Sequence, residues 1–305
     1  MDLTTKIGKT VFKNPVWVAS GTFGYGKEFE DFFDIDSLGA VVTKTVTKDA
    51  RSGNMPPRVV ETASGLLNSI GLENKGVKNL AEEYMPFLRK LDTRVVISIA
   101  GETEEELVSC AEELEKSDGV DAIELNLSCP NVSHGSAKYS LIAQDADATA
   151  RMISAVRKAT SRLLIAKLTP NVTDVAGIAV CAESAGADAV SLVNTYFGMA
   201  VDASEKKPLL GNVTGGLSGP AIKPMALKAV WDVYNAVRIP VVGIGGITSG
   251  RDAAEFMLCG ASAVQAGTWN FVDPAGCVKI LSELTEYLES QGLERSQDLV
   301  GRLEV

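Results

Sequence analysis

Histidine is almost missing: the 305 residues contain one, His134. A histidine-built metal site or a Ser-His-Asp triad would have to rest on that ring alone. Cysteines are few and scattered (Cys110, Cys129, Cys181, Cys259 and Cys277), with no Cys-x-x-Cys pair. That excludes a disulfide scaffold and a zinc or iron–sulfur cradle. Aromatics make up 6% and the net charge is −10, so the chain has few stacking platforms and is repelled by phosphate backbones; nucleic-acid binding is excluded as its general function. No stretch of about 18 apolar residues occurs, and the opening Met1-Asp2-Leu3-Thr4-Thr5-Lys6-Ile7-Gly8 lacks a basic start followed by an apolar run. These absences predict a soluble, cytoplasmic protein without a membrane span.

What is present is apolar and regular. Hydrophobic residues are 46% and charged residues 22%, enough for a large core. Short β-branched runs alternate with amphipathic segments of helix length, the signature of βαβ units around a parallel sheet. Eight strand and helix pairs are expected, with strands at Val16–Ala19, Ala40–Thr43, Arg94–Ile99, Ala122–Asn126, Leu163–Lys167, Ala189–Val193, Pro240–Gly243 and Ala263–Ala266. Most read as continuous apolar runs, as strands covered on both faces should. Capping boxes at Thr103 with Glu106 and at Ser249 with Asp252 mark helix starts. Leu3–Ile7 and Thr10–Phe12, flanking Gly8-Lys9, predict a hairpin plugging the floor. The expectation is α/β: one domain over residues 1–305, a (β/α)8 TIM barrel with an N-terminal β-hairpin and inserted loops at its C-terminal face; an open doubly wound sheet is the alternative.

Successive strand starts lie about 24, 54, 28, 41, 26, 51 and 23 residues apart, where a plain βα unit needs roughly 30. The surplus follows strands two, four and six, so three long loops should fold over one mouth: Arg58–Leu72, Leu127–Tyr139 and Thr195–Gly219. At the strand ends around that mouth stand Ser20, Lys44, Thr45, Asn126, Lys167 and Asn194, with Ser98 inside the third strand. Lysines and asparagines ending apolar strands cost free energy unless paired, which points to an anionic, amide-bearing ligand. Gly243-Ile244-Gly245-Gly246 after strand seven and Gly267-Thr268 after strand eight occupy the barrel's phosphate-binding position, for a substrate or for a nucleotide such as FMN. Cys129, alone among the cysteines, lies in a loop at the mouth, where lowered proton affinity would make it a general base or nucleophile.

Ala19-Ser20-Gly21-Thr22-Phe23-Gly24, Lys44-Thr45-Val46-Thr47, Asn54-Met55-Pro56-Pro57-Arg58, Asn68-Ser69-Ile70-Gly71-Leu72, Asn126-Leu127-Ser128-Cys129-Pro130-Asn131-Val132, Lys167-Leu168-Thr169-Pro170, Asn194-Thr195 and Gly215-Gly216-Leu217-Ser218-Gly219-Pro220 run through the whole chain. Together with the closing glycine motifs they resemble the class 1 dihydroorotate dehydrogenases, and within them the NAD-linked class 1B catalytic subunit. The resemblance implies oxidation of dihydroorotate to orotate on FMN, with Cys129 removing the proton from carbon 5 while a hydride leaves carbon 6. It implies that Lys44, Asn68, Ser69, Ile70, Gly71, Leu72, Asn126, Asn131, Asn194 and Thr195 hold the substrate. FMN would be lined by Ser20, Lys44, Thr45, Ser98, Asn126, Lys167, Val193, Gly219, Gly245, Gly246, Gly267 and Thr268, with Lys167 stabilising negative charge on the reduced flavin. A partner subunit would carry FAD and a [2Fe-2S] cluster and pass electrons to NAD, the catalytic chains pairing as a homodimer within a heterotetramer. Two positions depart from the family pattern: Ser98 where asparagine is expected, and Ser136 where glycine is expected. The competing readings are the fumarate-dependent class 1A, another FMN barrel such as a dihydropyrimidine dehydrogenase, and a non-catalytic barrel that scaffolds a partner.

Overall fold

The computed structural model describes residues 1–127 and 142–305. Along the chain the strands are β1 (Thr5–Ile7), β2 (Thr10–Phe12), β3 (Val16–Val18), β4 (Ala40–Val42), β5 (Val59–Thr62), β6 (Gly65–Asn68), β7 (Arg94–Ile99), β8 (Ala122–Asn126), β9 (Leu163–Lys167), β10 (Ala189–Leu192), β11 (Tyr196–Met199), β12 (Val201–Asp202), β13 (Lys207–Pro208), β14 (Thr214–Ser218), β15 (Val241–Ile244) and β16 (Ala261–Ala266). Among the described residues, eight parallel strands close a barrel in the order β10-β15-β16-β3-β4-β7-β8-β9. The expected (β/α)8 barrel is therefore present, with strand ends shifted by up to two residues.

The helices form where local signals call for them. Thr103 Oγ1 accepts the Glu106 N–H (3.2 Å) to open Glu104–Glu115, whose Leu107, Cys110, Ala111 and Leu114 are buried. Ser249 Oγ accepts the Asp252 N–H (3.2 Å) to open Gly250–Leu258. Helices Ala146–Ala159, Val175–Ser184, Lys223–Ala236 and Gly276–Ser290 complete much of the outer ring. None of the helices among the described residues is long and apolar enough to cross a membrane.

The first unit corrects the expectation of eight strand and helix pairs. Between β3 and β4 only two 3₁₀ turns form, Lys27–Phe29 and Ile35–Ser37. Gly21, Gly24 and Gly26 all take positive φ (92°, 55° and 94°), which breaks any helix there. Phe23 covers this flank instead, stacked on Phe29 at 4.0 Å and tilted against Phe33 at 6.1 Å. In the second unit the helical stretch Val77–Leu88 carries a π-helical centre at Leu80–Tyr84.

The barrel interior is layered. Hairpin β1–β2 pairs Thr5 with Phe12 and Ile7 with Thr10, sending Ile7 and Phe12 into a fully apolar lower cluster with Trp17, Ala40, Val42, Val96, Ala122, Leu163, Ile165, Ala189, Val242 and Ala263. The insertions after β4 and β10, expected as loops, contain strands that join into one antiparallel sheet, β11-β14-β6-β5. Its register sets Asn68 opposite Gly216 and Leu67 opposite Leu217, so segments about 150 residues apart make one wall. The third insertion lies largely outside the described residues.

Candidate functional site

The C-terminal ends of the barrel strands surround a pocket walled on one side by the antiparallel sheet. Period-two alternation builds its floor: Ala122, Glu124 and Asn126 share the inward face of β8, and Leu163, Ile165 and Lys167 that of β9. The first residues of each set sit in the apolar cluster and the last reach the pocket.

A continuous polar chain crosses the floor. Ser20 and Thr45 hydroxyls are 2.8 Å apart, and Thr45 lies 2.9 Å from the Ser98 hydroxyl. Asn126 Nδ2 donates to Thr45 Oγ1 (3.3 Å), and Asn194 Nδ2 donates to Asn126 Oδ1 (3.4 Å). Thr195 N–H in turn donates to Asn194 Oδ1 (2.8 Å). These side chains are thus held in place before any ligand arrives, with Lys44 and Lys167 beside them.

Glu124 was not foreseen from the sequence. It is fully buried beneath Lys167, with Glu124 Oε1 3.5 Å from Lys167 Nζ. Ser191 Oγ and Gln265 Nε2 both donate to Glu124 Oε2, at 3.0 and 2.9 Å. The signal was available: a charge in the middle of Ala122-Ile123-Glu124-Leu125-Asn126 is costly unless paired. Val59, Leu66, Ser218, Ile222, Ile244 and Phe271 also line the pocket without having been assigned a role; Ile222 and Ile244 are buried like ordinary core residues, whereas Val59 and Phe271 are exposed at its rim.

The glycine turns stand opposite. Gly245 (φ 133°) and Gly246 (φ 73°) hold a backbone that disfavours any side chain. A Cβ on Gly245 would come within 2.7 Å of the Ala226 Cβ, and one on Gly246 within 2.8 Å of the Gly219 carbonyl oxygen. Asp252 braces this turn, accepting from Thr248 N–H and Oγ1 (both 2.9 Å) and from Lys223 Nζ (2.6 Å). Burial pushes the Asp252 carboxyl up, but Lys223, Thr248 and Ser249 outweigh this and hold it below the usual carboxylate range. Thr268 Oγ1 donates to Ser218 Oγ (2.8 Å), tying the second glycine turn to the sheet.

Of the residues singled out from the sequence, the pocket brings together Ser20, Lys44, Thr45, Asn68, Ile70, Gly71, Leu72, Asn126, Lys167, Val193, Asn194, Thr195, Gly219, Gly245, Gly246, Gly267 and Thr268. Ser69 and Ser98 are fully buried behind its wall. Among the described residues Ser98 is joined to the site through Thr45, and Ser69 donates its backbone N–H to the Arg58 carbonyl (2.7 Å). Cys129 and Asn131, with His134 and Ser136, lie outside the described residues. Burial pushes the Cys110 and Cys277 thiols up to about 12, so both stay protonated at neutral pH.

A family profile described as dihydroorotate dehydrogenase matches residues 2–288. The chain belongs to the dihydroorotate dehydrogenase family. Proteins named catalytic subunit of dihydroorotate dehydrogenase B (NAD(+)) match it end to end. The one from Bacteroides thetaiotaomicron is 48% identical over 304 residues, covering 100% of this chain and 99% of its own. That from Parabacteroides distasonis is 46% identical with the same coverage, and that from Desulforamulus reducens 49% over 301 residues, covering 99% and 98%. The resemblance carried by the motifs therefore holds, down to the type B subgroup.

The pocket's chemistry suits the family's flavin. It combines a glycine cradle closed to side chains, a row of hydroxyl and amide donors, and a buried lysine that gives no hydrogen bond to any described residue. A flat, amide-bearing group with a phosphate tail needs that donor set.

Proposed function

We propose that this chain is the FMN-binding catalytic subunit of a type B dihydroorotate dehydrogenase, working as one barrel domain and oxidising (S)-dihydroorotate to orotate in pyrimidine biosynthesis. The observation that carries the proposal is the convergence of Lys44, Lys167, Asn126 and Asn194 on one pocket facing the Gly245-Gly246 turn, in a chain of this family. Gly245, Gly246, Gly267 and Thr268 would take the cofactor phosphate, and Ser20, Thr45, Val193 and Gly219 its remaining surface. Bound FMN supplies the acceptor for the hydride leaving carbon 6.

The chain's own residues do the rest. Lys44, Asn68, Asn126, Asn131, Asn194 and Thr195 would hold the substrate's carboxylate and ring amides, with Ile70, Gly71 and Leu72 against its edge. Asn68 sits on β6 where that strand meets β14, so the antiparallel sheet delivers a substrate ligand to the strand ends. Cys129 is the base that takes the proton from carbon 5. The two bonds broken are on neighbouring carbons, so Cys129 and the hydride acceptor would have to address adjacent ring positions of the bound substrate.

Electrons leave through a partner subunit carrying FAD and a [2Fe-2S] cluster on the way to NAD, and catalytic chains pair within a heterotetramer in the cytoplasm. The proposal is tested by identifying the small molecule released on denaturing the purified protein and by assaying NAD reduction with and without the co-expressed electron-transfer subunit. FMN near one per chain, and NADH formation that depends on the partner, are expected. A colourless protein contradicts the flavin assignment, and rapid NADH formation by the lone chain contradicts the relay.

A further inference from the structure

We infer that Glu124 is a positioning residue that holds Lys167 as a fixed ammonium at the pocket floor; the inference rests on the FMN reading for its catalytic meaning. The pair is built one layer below the polar chain. Glu124 is 0% exposed and Lys167 5%, and the register that sets Asn126 beside Lys167 on adjacent strands places Glu124 one inward residue lower. Ser191 on β10 and Gln265 on β16 reach across the barrel interior to the same carboxylate oxygen, Oε2. Among the described residues, none donates a hydrogen bond to Gln265 Oε1 or Glu124 Oε1. Two neutral donors thus converge on Oε2, leaving the Gln265 carbonyl turned away from the carboxylate. Among the described residues, the remaining oxygen has Lys167 as its charged neighbour.

At 3.5 Å the contact is an ion pair with no hydrogen bond locking it. Lys167 therefore keeps its N–H groups for a ligand above while the charge below fixes its protonation. The need for such a partner follows from the surroundings. Lys44 is the other titratable side chain among the described residues lining the pocket, and its like charge disfavours a second ammonium. The groups packed from β10 and β16, Ser191 and Gln265, are neutral. Without Glu124, burial and Lys44 would both drive Lys167 toward the neutral amine; a buried lysine loses proton affinity readily, by several pH units in extreme cases. A neutral Lys167 could not counter negative charge on the reduced flavin.

The test follows Lys167 directly in the full chain. Competitive acetylation with acetic anhydride, read by mass spectrometry of the Lys167 peptide across pH in flavin-free protein, reports the pH at which the amine loses its proton. Glu124→Gln is expected to lower that midpoint by at least about one pH unit, tenfold in proton affinity. In FMN-loaded protein the flavin absorption of Glu124→Gln should show a new pH transition at the same midpoint, absent from the wild type and from the Glu124→Gln/Lys167→Met double variant. Equal labelling midpoints in wild type and Glu124→Gln overturn the inference, as does a transition that persists in the double variant. If Glu124→Gln does not fold, Glu124→Asp retains the charge one methylene further away and should give a smaller downward shift; no shift overturns the inference. Failure of the chain to bind FMN would count against the proposed function, and the labelling result would still decide the pairing.

Discussion

At the barrel floor Ile7, Phe12, Trp17, Ala122 and Leu163 pack without a polar side chain among them, the Phe12 and Trp17 rings 4.3 Å apart. Two and four residues further along the same strands stand Glu124, Asn126 and Lys167, joined to Ser191, Gln265 and Thr45 by hydrogen bonds and charge. Both ends are buried, yet they are stabilised differently. The floor is held by apolar area removed from water and tolerates no gap; the mouth buries groups that cost free energy until every one has a partner. One strand serves both by alternation, as β8 does with Ala122, Glu124 and Asn126. The comparison teaches that changes at the floor should alter stability with little effect on chemistry per folded molecule, and changes at the mouth the reverse.

The sharpest break is expected in the proposed chemistry. Cys129→Ala should retain FMN and slow its reduction by dihydroorotate at least about a hundredfold at neutral pH, since general base catalysis contributes 10²–10⁴. Stopped-flow absorbance at the flavin band checks this, and a rate near wild type removes Cys129 from the chemistry. At the floor, Trp17→Ala should cost about 3–5 kcal/mol in urea denaturation with flavin reduction per bound FMN almost unchanged. A large loss of reduction rate in the folded variant would erase the distinction between the two ends.

Smaller effects test the turn that closes the site. Gly246→Ala must place a Cβ against the Gly219 carbonyl at a φ of 73°; FMN affinity measured by fluorescence titration should fall about tenfold, roughly 1.4 kcal/mol. Asp252→Asn should cost about 1–3 kcal/mol at neutral pH, from hydrogen bonds made to a charged group. Because the folded carboxyl lies below its ordinary value, this contribution is complete above the unfolded value of about 3.9 and disappears as pH falls through the lower folded value. The gap between wild type and Asp252→Asn in unfolding free energy should therefore close in acid and stay constant between pH 5 and 7.

Much of this organisation was legible in the residues. The apolar runs, the capping boxes at Thr103 and Ser249 and the surplus after strands two and six all describe what formed, because each depends on short-range signals. What escaped depends on distant pairing. Arg58–Leu72 and Thr195–Gly219 read as glycine-rich loops, and only their meeting, Asn68 against Gly216, turns them into a sheet. The missing first helix was foreshadowed by Gly21, Gly24 and Gly26, two of which entered only as part of the Ala19–Gly24 motif. Glu124 was overlooked because an apolar run with one charge reads as a strand, and its three partners, Ser191, Gln265 and Lys167, come from three other strands. The pocket residues were gathered largely as expected since strand ends in a barrel converge by topology.

The account is tested most directly by anaerobic titration of the purified protein with dihydroorotate, following flavin absorbance and orotate together. Bleaching of the bound flavin with one orotate formed per FMN reduced is the predicted result. A flavin that stays oxidised under excess dihydroorotate would contradict the assignment of this mouth as the site of that oxidation.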